Sequence, residues 1–271
     1  MSNGGWLWTL LGLYAIARLT QVFPNRIPFV VIIACHVLPA LGFAFLHGAA
    51  RYRTRGVMVY VLVCFLIGNL MENLSIGTGF PLGHYHFTEV MGPKLLQVPI
   101  LLGLAYIGIG YVSWAVAGPL LRHPGVITRP LMAAFVMTCW DLSQEPIWSN
   151  LVHAWTWHDG GRYFGVPLTN FCGWLLTNYL IYQTFALWLR WTGVKPSPLS
   201  AGQAMVAPLF YAVCAAGNLI VLAAPAPAVV TDGAGVQWRV REILWASTLI
   251  SIILMGSLAA IASVRARTAD T

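Results

Sequence analysis

The chain has 271 residues, 58% of them hydrophobic and only 8% charged, against about 25% charged residues in a soluble domain. That composition excludes an ordinary soluble domain and points to an integral membrane protein. The net charge of +7 is scattered over connections between apolar runs, a pattern that sets orientation in a bilayer and not a nucleic-acid surface.

The apolar runs predict an all-α, polytopic membrane bundle of about eight transmembrane helices, forming a single domain over 1–271. The runs lie at about 6–23, 28–47, 57–76, 98–121, 130–149, 170–191, 203–224 and 241–264. The first has no basic leader and no small-residue cleavage site, so it reads as a retained helix. Pro28 and Pro130 stand where helices start. Cys35, Cys64, Cys139, Cys172 and Cys214 sit singly inside apolar runs and read as small buried hydrophobes.

With the N-terminus inside, the inner connections hold Arg51, Arg53, Arg55, Arg122, Arg129, Arg190, Lys195, Arg265 and Arg267. The outer ones hold Arg26, Lys94, Arg162, Arg239 and Arg241. This excess predicts both termini in the cytoplasm of a prokaryotic cytoplasmic membrane. The two long connections, GTGFPLGHYHFTEVMGPKLLQ and LVHAWTWHDGGRYFGVP, then share the outer side, while Ala224–Val230 is an Ala/Pro linker. The chain also echoes itself. Glu72, then Gly83-His84-Tyr85, then Val98-Pro99 recur in order as Asp141, then Gly161-Arg162-Tyr163, then Val166-Pro167. Membrane proteins place sites at the interface of such repeats.

Three acids lie at or near helix ends: Glu72, Asp141 and Glu145. Asp141 and Glu145 are four apart and share one helix face. One reading places the acids at the water interface, capping helices or pairing with Arg162 and Lys94. The other is a carboxylic acid kept protonated by apolar surroundings, a usable proton donor near neutral pH. Glu145 precedes Pro146, so the helix is expected to kink or end there and free backbone groups beside the acids. His84, His86, His153 and His158 lack the paired spacing of a metal site and read as hydrogen-bonding or relay groups, so no metal is expected. Neither GxG stretch, at Gly77 or at Gly108, completes a dinucleotide fingerprint. The aromatics Trp148, Trp155, Trp157, Tyr163, Phe164, Phe171 and Trp174 fit an interfacial belt. They equally fit the wall of a slot for a long unsaturated lipid, where ring faces steady a carbocation.

ENLSIGTGFPLGHYHFTEVMGPKLLQVP and WDLSQEPIWSNLVHAWTWHDGGRYFGVPLTNFCGW resemble the membrane carotenoid hydratase family, which includes γ-carotene hydratase and bisanhydrobacterioruberin hydratase; the likeness covers about residues 68–180. Where the family is expected to carry Asp-Pro, this chain has Glu145-Pro146. The resemblance implies addition of water to the terminal double bond of an acyclic or monocyclic carotenoid, giving a tertiary alcohol without a cofactor. Asp141, Glu72 and Glu145 are then the candidate proton donors, with a preference for Asp141, and His84, His86 and Tyr85 the candidates for holding water. Trp140, Trp148, Trp155, Trp157, Tyr163, Phe164, Asn170 and Trp174 are the candidate substrate wall. Two other classes stay open. A prenyl or lipid transferase would need a second aspartate pair for magnesium diphosphate. A non-catalytic carotenoid- or lipid-binding or transport protein would also show repeats and buried acids.

Overall fold

The computed structural model describes residues 3–23 and 26–268. The chain is mostly helical, in the order α1 (Asn3–Thr20), α2 (Phe29–Thr78), α3 (Ile100–Leu120), α4 (Thr128–Asn150), α5 (Leu168–Thr192), α6 (Ala201–Ala223), α7 (Val240–Ile250) and α8 (Ser257–Thr268), with a π-helical stretch at Ser251–Gly256 joining the last two. It is not purely α. Short strands β1 (Tyr85–Phe87), β2 (Lys94–Leu95), β3 (Val98–Pro99), β4 (Trp155–Trp157), β5 (Val229–Thr231) and β6 (Gln237–Arg239) pair antiparallel as β1–β4, β2–β3 and β5–β6.

Among the described residues, four helices are long and apolar enough to cross a membrane: Phe29–Thr78, Ile100–Leu120, Ala201–Ala223 and Val240–Arg267. The expected count of about eight spans therefore does not follow from length and hydropathy. The reason is visible in α4 and α5. The first buries Asp141, Ser143, Gln144, Glu145, Ser149 and Asn150, and the second buries Asn170, Thr177 and Asn178. Polar groups inside these helices face other helices and lower their hydropathy.

Inside α2, Arg53 leaves helical geometry with φ 59 and ψ 169. The residue divides α2 into two arms, and the break is tight: a Cβ on Gly48 would lie 2.7 Å from Val57 Cγ2. Both arms lie on α3, with Ala40 against Gly108 and Tyr60 against Gly110.

The two long connections meet. Tyr85 pairs with Trp157, His86 with Thr156 and Phe87 with Trp155, and the pairing is extended by His158 N–H to His84 O (3.0 Å) and Thr88 N–H to Ala154 O (3.1 Å). The Val-Pro of each repeat starts a helix, with Pro99 capping α3 and Pro167 capping α5. Each motif glycine permits a close approach. Gly83 has φ 132 and lies against Pro167 and Trp157, while a Cβ on Gly161 would fall 2.0 Å from the Val166 backbone. The segment from Ala224 is more than a linker. It enters the β5–β6 hairpin, closed by Asp232 Oδ1 accepting from Ala234 and Val236 N–H, and Gly233 rests on the Trp157 carbonyl of β4.

Candidate active site

Helix α4 carries Asp141 and Glu145 one turn apart, and both are buried, with 3% and 2% exposure; Glu72, near the end of α2, is 3% exposed. None of the three pairs with a cation among the described residues, where the ion pairs are Lys94–Glu89 and Arg239–Glu242. The interfacial reading of these acids, with Lys94 or Arg162 as partner, is therefore corrected: Lys94 is held by Glu89 and the Phe87 carbonyl, and Arg162 is exposed.

Each carboxyl is instead met by neutral donors. Tyr106 O–H donates to Glu72 Oε1 at 2.6 Å, and Tyr85 O–H donates to Glu72 Oε2. Both indoles of β4 converge on a single oxygen, Trp155 Nε1–H at 2.6 Å and Trp157 Nε1–H at 2.7 Å from Glu145 Oε1. An indole N–H only donates, so Oε1 accepts both bonds and Oε2 is the oxygen better placed to carry a proton. Asn170 Nδ2–H donates to Asp141 Oδ2 at 3.0 Å, which makes Oδ1 the oxygen better placed to carry a proton.

Two adjoining cavities border these groups. A narrow slot of about 70 Å³ is lined by Asp141 and Glu145 together with Trp140, Trp148, Trp155 and Trp174, and by apolar residues of α2 and α3 such as Val37 and Ile109. A cavity of about 20 Å³, bordered by Glu72, Tyr85, Glu145, Trp157 and Asn170, is large enough for one water molecule. Glu145, Trp155, Trp174 and Leu102 line both. Trp174 is itself fixed by stacking on Tyr106, with centroids 4.8 Å apart and planes 5° apart.

The expected site residues thus divide. Trp140, Trp148, Trp155, Trp157, Asn170 and Trp174 come to the cavities with the three acids and Tyr85. His84 and His86 do not. Side chains alternate along a strand, and in β1 Tyr85 and Phe87 turn inward while His86 turns out, where its Nδ1 lies 2.7 Å from His158 Nε2. Burial, then His158 and Lys94, lower the His86 pKa below the usual histidine value. Burial, then Glu72, raise that of Tyr85 well above the usual tyrosine value, so its hydroxyl remains a donor. Neither Tyr163 nor Phe164 lines these two cavities. Helix α4 continues through Pro146 to Asn150, so it does not end there as one expectation had it. Proline has no N–H for the carbonyl four residues back, and the Tyr163 hydroxyl donates to that freed Leu142 oxygen at 3.1 Å. Phe164 packs edge-on against Trp238 of the β5–β6 hairpin at 5.5 Å.

Several residues at the site have no signal in the sequence beyond being polar within apolar runs. Tyr106 is one. Others are Arg18 and Gln144, which line the slot and both donate to Asn218 Oδ1, at 3.1 and 3.0 Å. Among the described residues, no group of three or more His, Cys, Asp or Glu is arranged to hold a metal ion.

A family model described as carotenoid biosynthesis protein matches residues 28–237. No curated protein and no solved structure gives a match.

Proposed function

This chain belongs to the carotenoid biosynthesis protein family, and from that premise we propose that it is a hydratase, adding water across the terminal trisubstituted double bond of a carotenoid ψ end group. The observation that carries the reading is the pair of adjoining cavities with Glu145 on the wall between them, one lined by aromatic rings and Asp141, the other bordered by Glu72, Tyr85 and Asn170 and the size of one water molecule.

In this reading the end of an acyclic or monocyclic carotenoid enters the slot, whose narrow, aromatic-lined shape suits a slender methyl-branched polyene. Asp141 gives the proton on Oδ1 to the less substituted alkene carbon, and the π pair forms the new C–H bond. The tertiary cation lies among Trp140, Trp155 and Trp174, whose ring faces stabilise positive charge. Water from the smaller cavity attacks that carbon, and its surplus proton passes to Oε2 of Glu145 or to Glu72. The balance is alkene plus water to tertiary alcohol, with one proton given by one carboxyl and one returned to another. Written this way the reaction calls for no redox cofactor and no metal. Tyr85, Tyr106 and the β4 indoles act as positioning residues that hold Glu72 and Glu145 in place.

The test is incubation of the purified full-length protein with an acyclic carotenoid, in the presence of chelator and without oxygen or nicotinamide, followed by mass analysis. Gain of one water at a tertiary carbon is the expected result. Bound but unchanged carotenoid would favour a binding protein, and a requirement for iron or oxygen would favour an oxygenase.

A further inference from the structure

A third cavity lies at the other end of the bundle. Helix α3 has its first turns at the candidate active site and its last turn here; its 21 residues span about 30 Å, close to the thickness of a bilayer core. This cavity, of about 620 Å³, is lined by His47, Arg51, Arg122, Arg129 and Arg265 among other residues and, among the described residues, by no acidic side chain. Arginine cannot shed its charge, so the site stays cationic.

The cavity is built from fixed groups. Arg129 lies over the Trp114 ring at 4.0 Å and donates through Nη2 to the Trp114 carbonyl at 3.3 Å, while its Nε is buried without a hydrogen-bond partner. Arg51 donates to the Ser197 carbonyl, and Arg265 Nη1 to Leu120 O at 2.5 Å. His47, 3% exposed, holds Tyr111 O–H through Nδ1 at 2.9 Å and leaves Nε2 buried and unpartnered. Among the described residues no carboxylate pairs with Arg51, Arg122 or Arg129. Arg51 and Arg129, fixed by neutral carbonyls around an open volume, are short of charged acceptors. A phosphate supplies several charged oxygens to such forks at once.

We propose that this cavity binds a phosphate-bearing anion, held by Arg51, Arg122 and Arg129. A phospholipid headgroup and a free diphosphate offer the same chemistry, and the experiment separates them. The full-length protein in neutral detergent is titrated with inorganic diphosphate, followed by thermal shift. In parallel it is titrated with phosphatidylglycerol, with phosphatidylcholine as control, and adducts are counted by native mass spectrometry. Saturable binding of at least one anionic probe is expected. It should weaken about tenfold in R122Q, whose side chain is exposed, and further in R51Q/R122Q, as charge-assisted bonds are lost. R239Q, on the β5–β6 hairpin, should bind as wild type. Diphosphate binding alone marks a soluble ligand, and phosphatidylglycerol binding alone marks a lipid. Failure of both probes in the wild type, or undiminished binding in a folded R51Q/R122Q protein, overturns the proposal.

Discussion

Replacing Asp141 by asparagine removes an acid while leaving its surroundings almost unchanged. Among the described residues the Asp141 carboxyl receives its hydrogen bond from Asn170, at Oδ2, and the substituted amide keeps a carbonyl oxygen for it. Asp141→Ala would instead leave the buried Asn170 amide unpaired, at about 1–3 kcal/mol, and so confound folding with chemistry. Asp141→Asn should therefore melt close to wild type and still retain carotenoid through extraction. Its turnover should fall by about 10²–10⁴, the usual loss of a general acid, equivalent to about 3–5 kcal/mol of barrier. The assay is single-turnover conversion in detergent, read by chromatography with mass detection. Glu145→Gln and Glu72→Gln serve as companions. The first still offers an oxygen to both indoles, and in the second one tyrosine hydroxyl can turn to accept. Comparable losses at several positions would indicate a coupled carboxyl network. Near-normal turnover in all three amides would refute the acid assignment.

Three further outcomes are expected. Tyr163→Phe orphans the Leu142 carbonyl and should destabilise by about 1–3 kcal/mol, whereas in a Pro146→Ala background, with the N–H restored, the same change should cost much less by melting temperature. The His86 pKa is depressed in the folded chain by burial, then His158 and Lys94. That contribution to the stability of the paired connections is full above the ordinary histidine pKa of about 6.5 and is lost as pH falls through the folded value. Hydrogen-exchange protection at 84–88 and 155–158, taken relative to the intrinsic rate at each pH, should accordingly fall on acidification, and His86→Gln should flatten the response. Finally, accessibility tags at Leu96 and His123, which flank the candidate span Ile100–Leu120, should report opposite sides, with His123 cytoplasmic; the same side for both would remove α3 as a crossing.

Much of the site was legible because its signals are local. Asp141 and Glu145 share a face by simple periodicity, and the echo of acid, glycine turn and Val-Pro anticipates two connections coming together. The alternation in Tyr85-His86-Phe87 already divides inward from outward residues, but only once the segment is known to be a strand, and β1 becomes one by pairing with β4, some 70 residues away. Tyr106 and Arg18 were silent because one polar residue in an apolar run looks the same whether it faces lipid or a carboxyl. Tyr163 and Phe164 looked like substrate wall by type, yet their roles are set by a carbonyl freed on α4 and by a hairpin from the far end of the sequence.

The β1–β4 pairing makes this connection intolerant of a kind of change that surface loops usually absorb. Inserting or deleting a single residue in Tyr85–Phe87 would slide one strand by one position and turn its side chains over. His86 would then face Glu72, and Tyr85 would point to water. In Trp155–Trp157 the equivalent slip would take both indoles away from Glu145 together. Length variation among relatives should therefore avoid these two tripeptides and collect in the flanking turns. A scan of single-residue insertions along 80–100 would find a sharp forbidden window only a few positions wide.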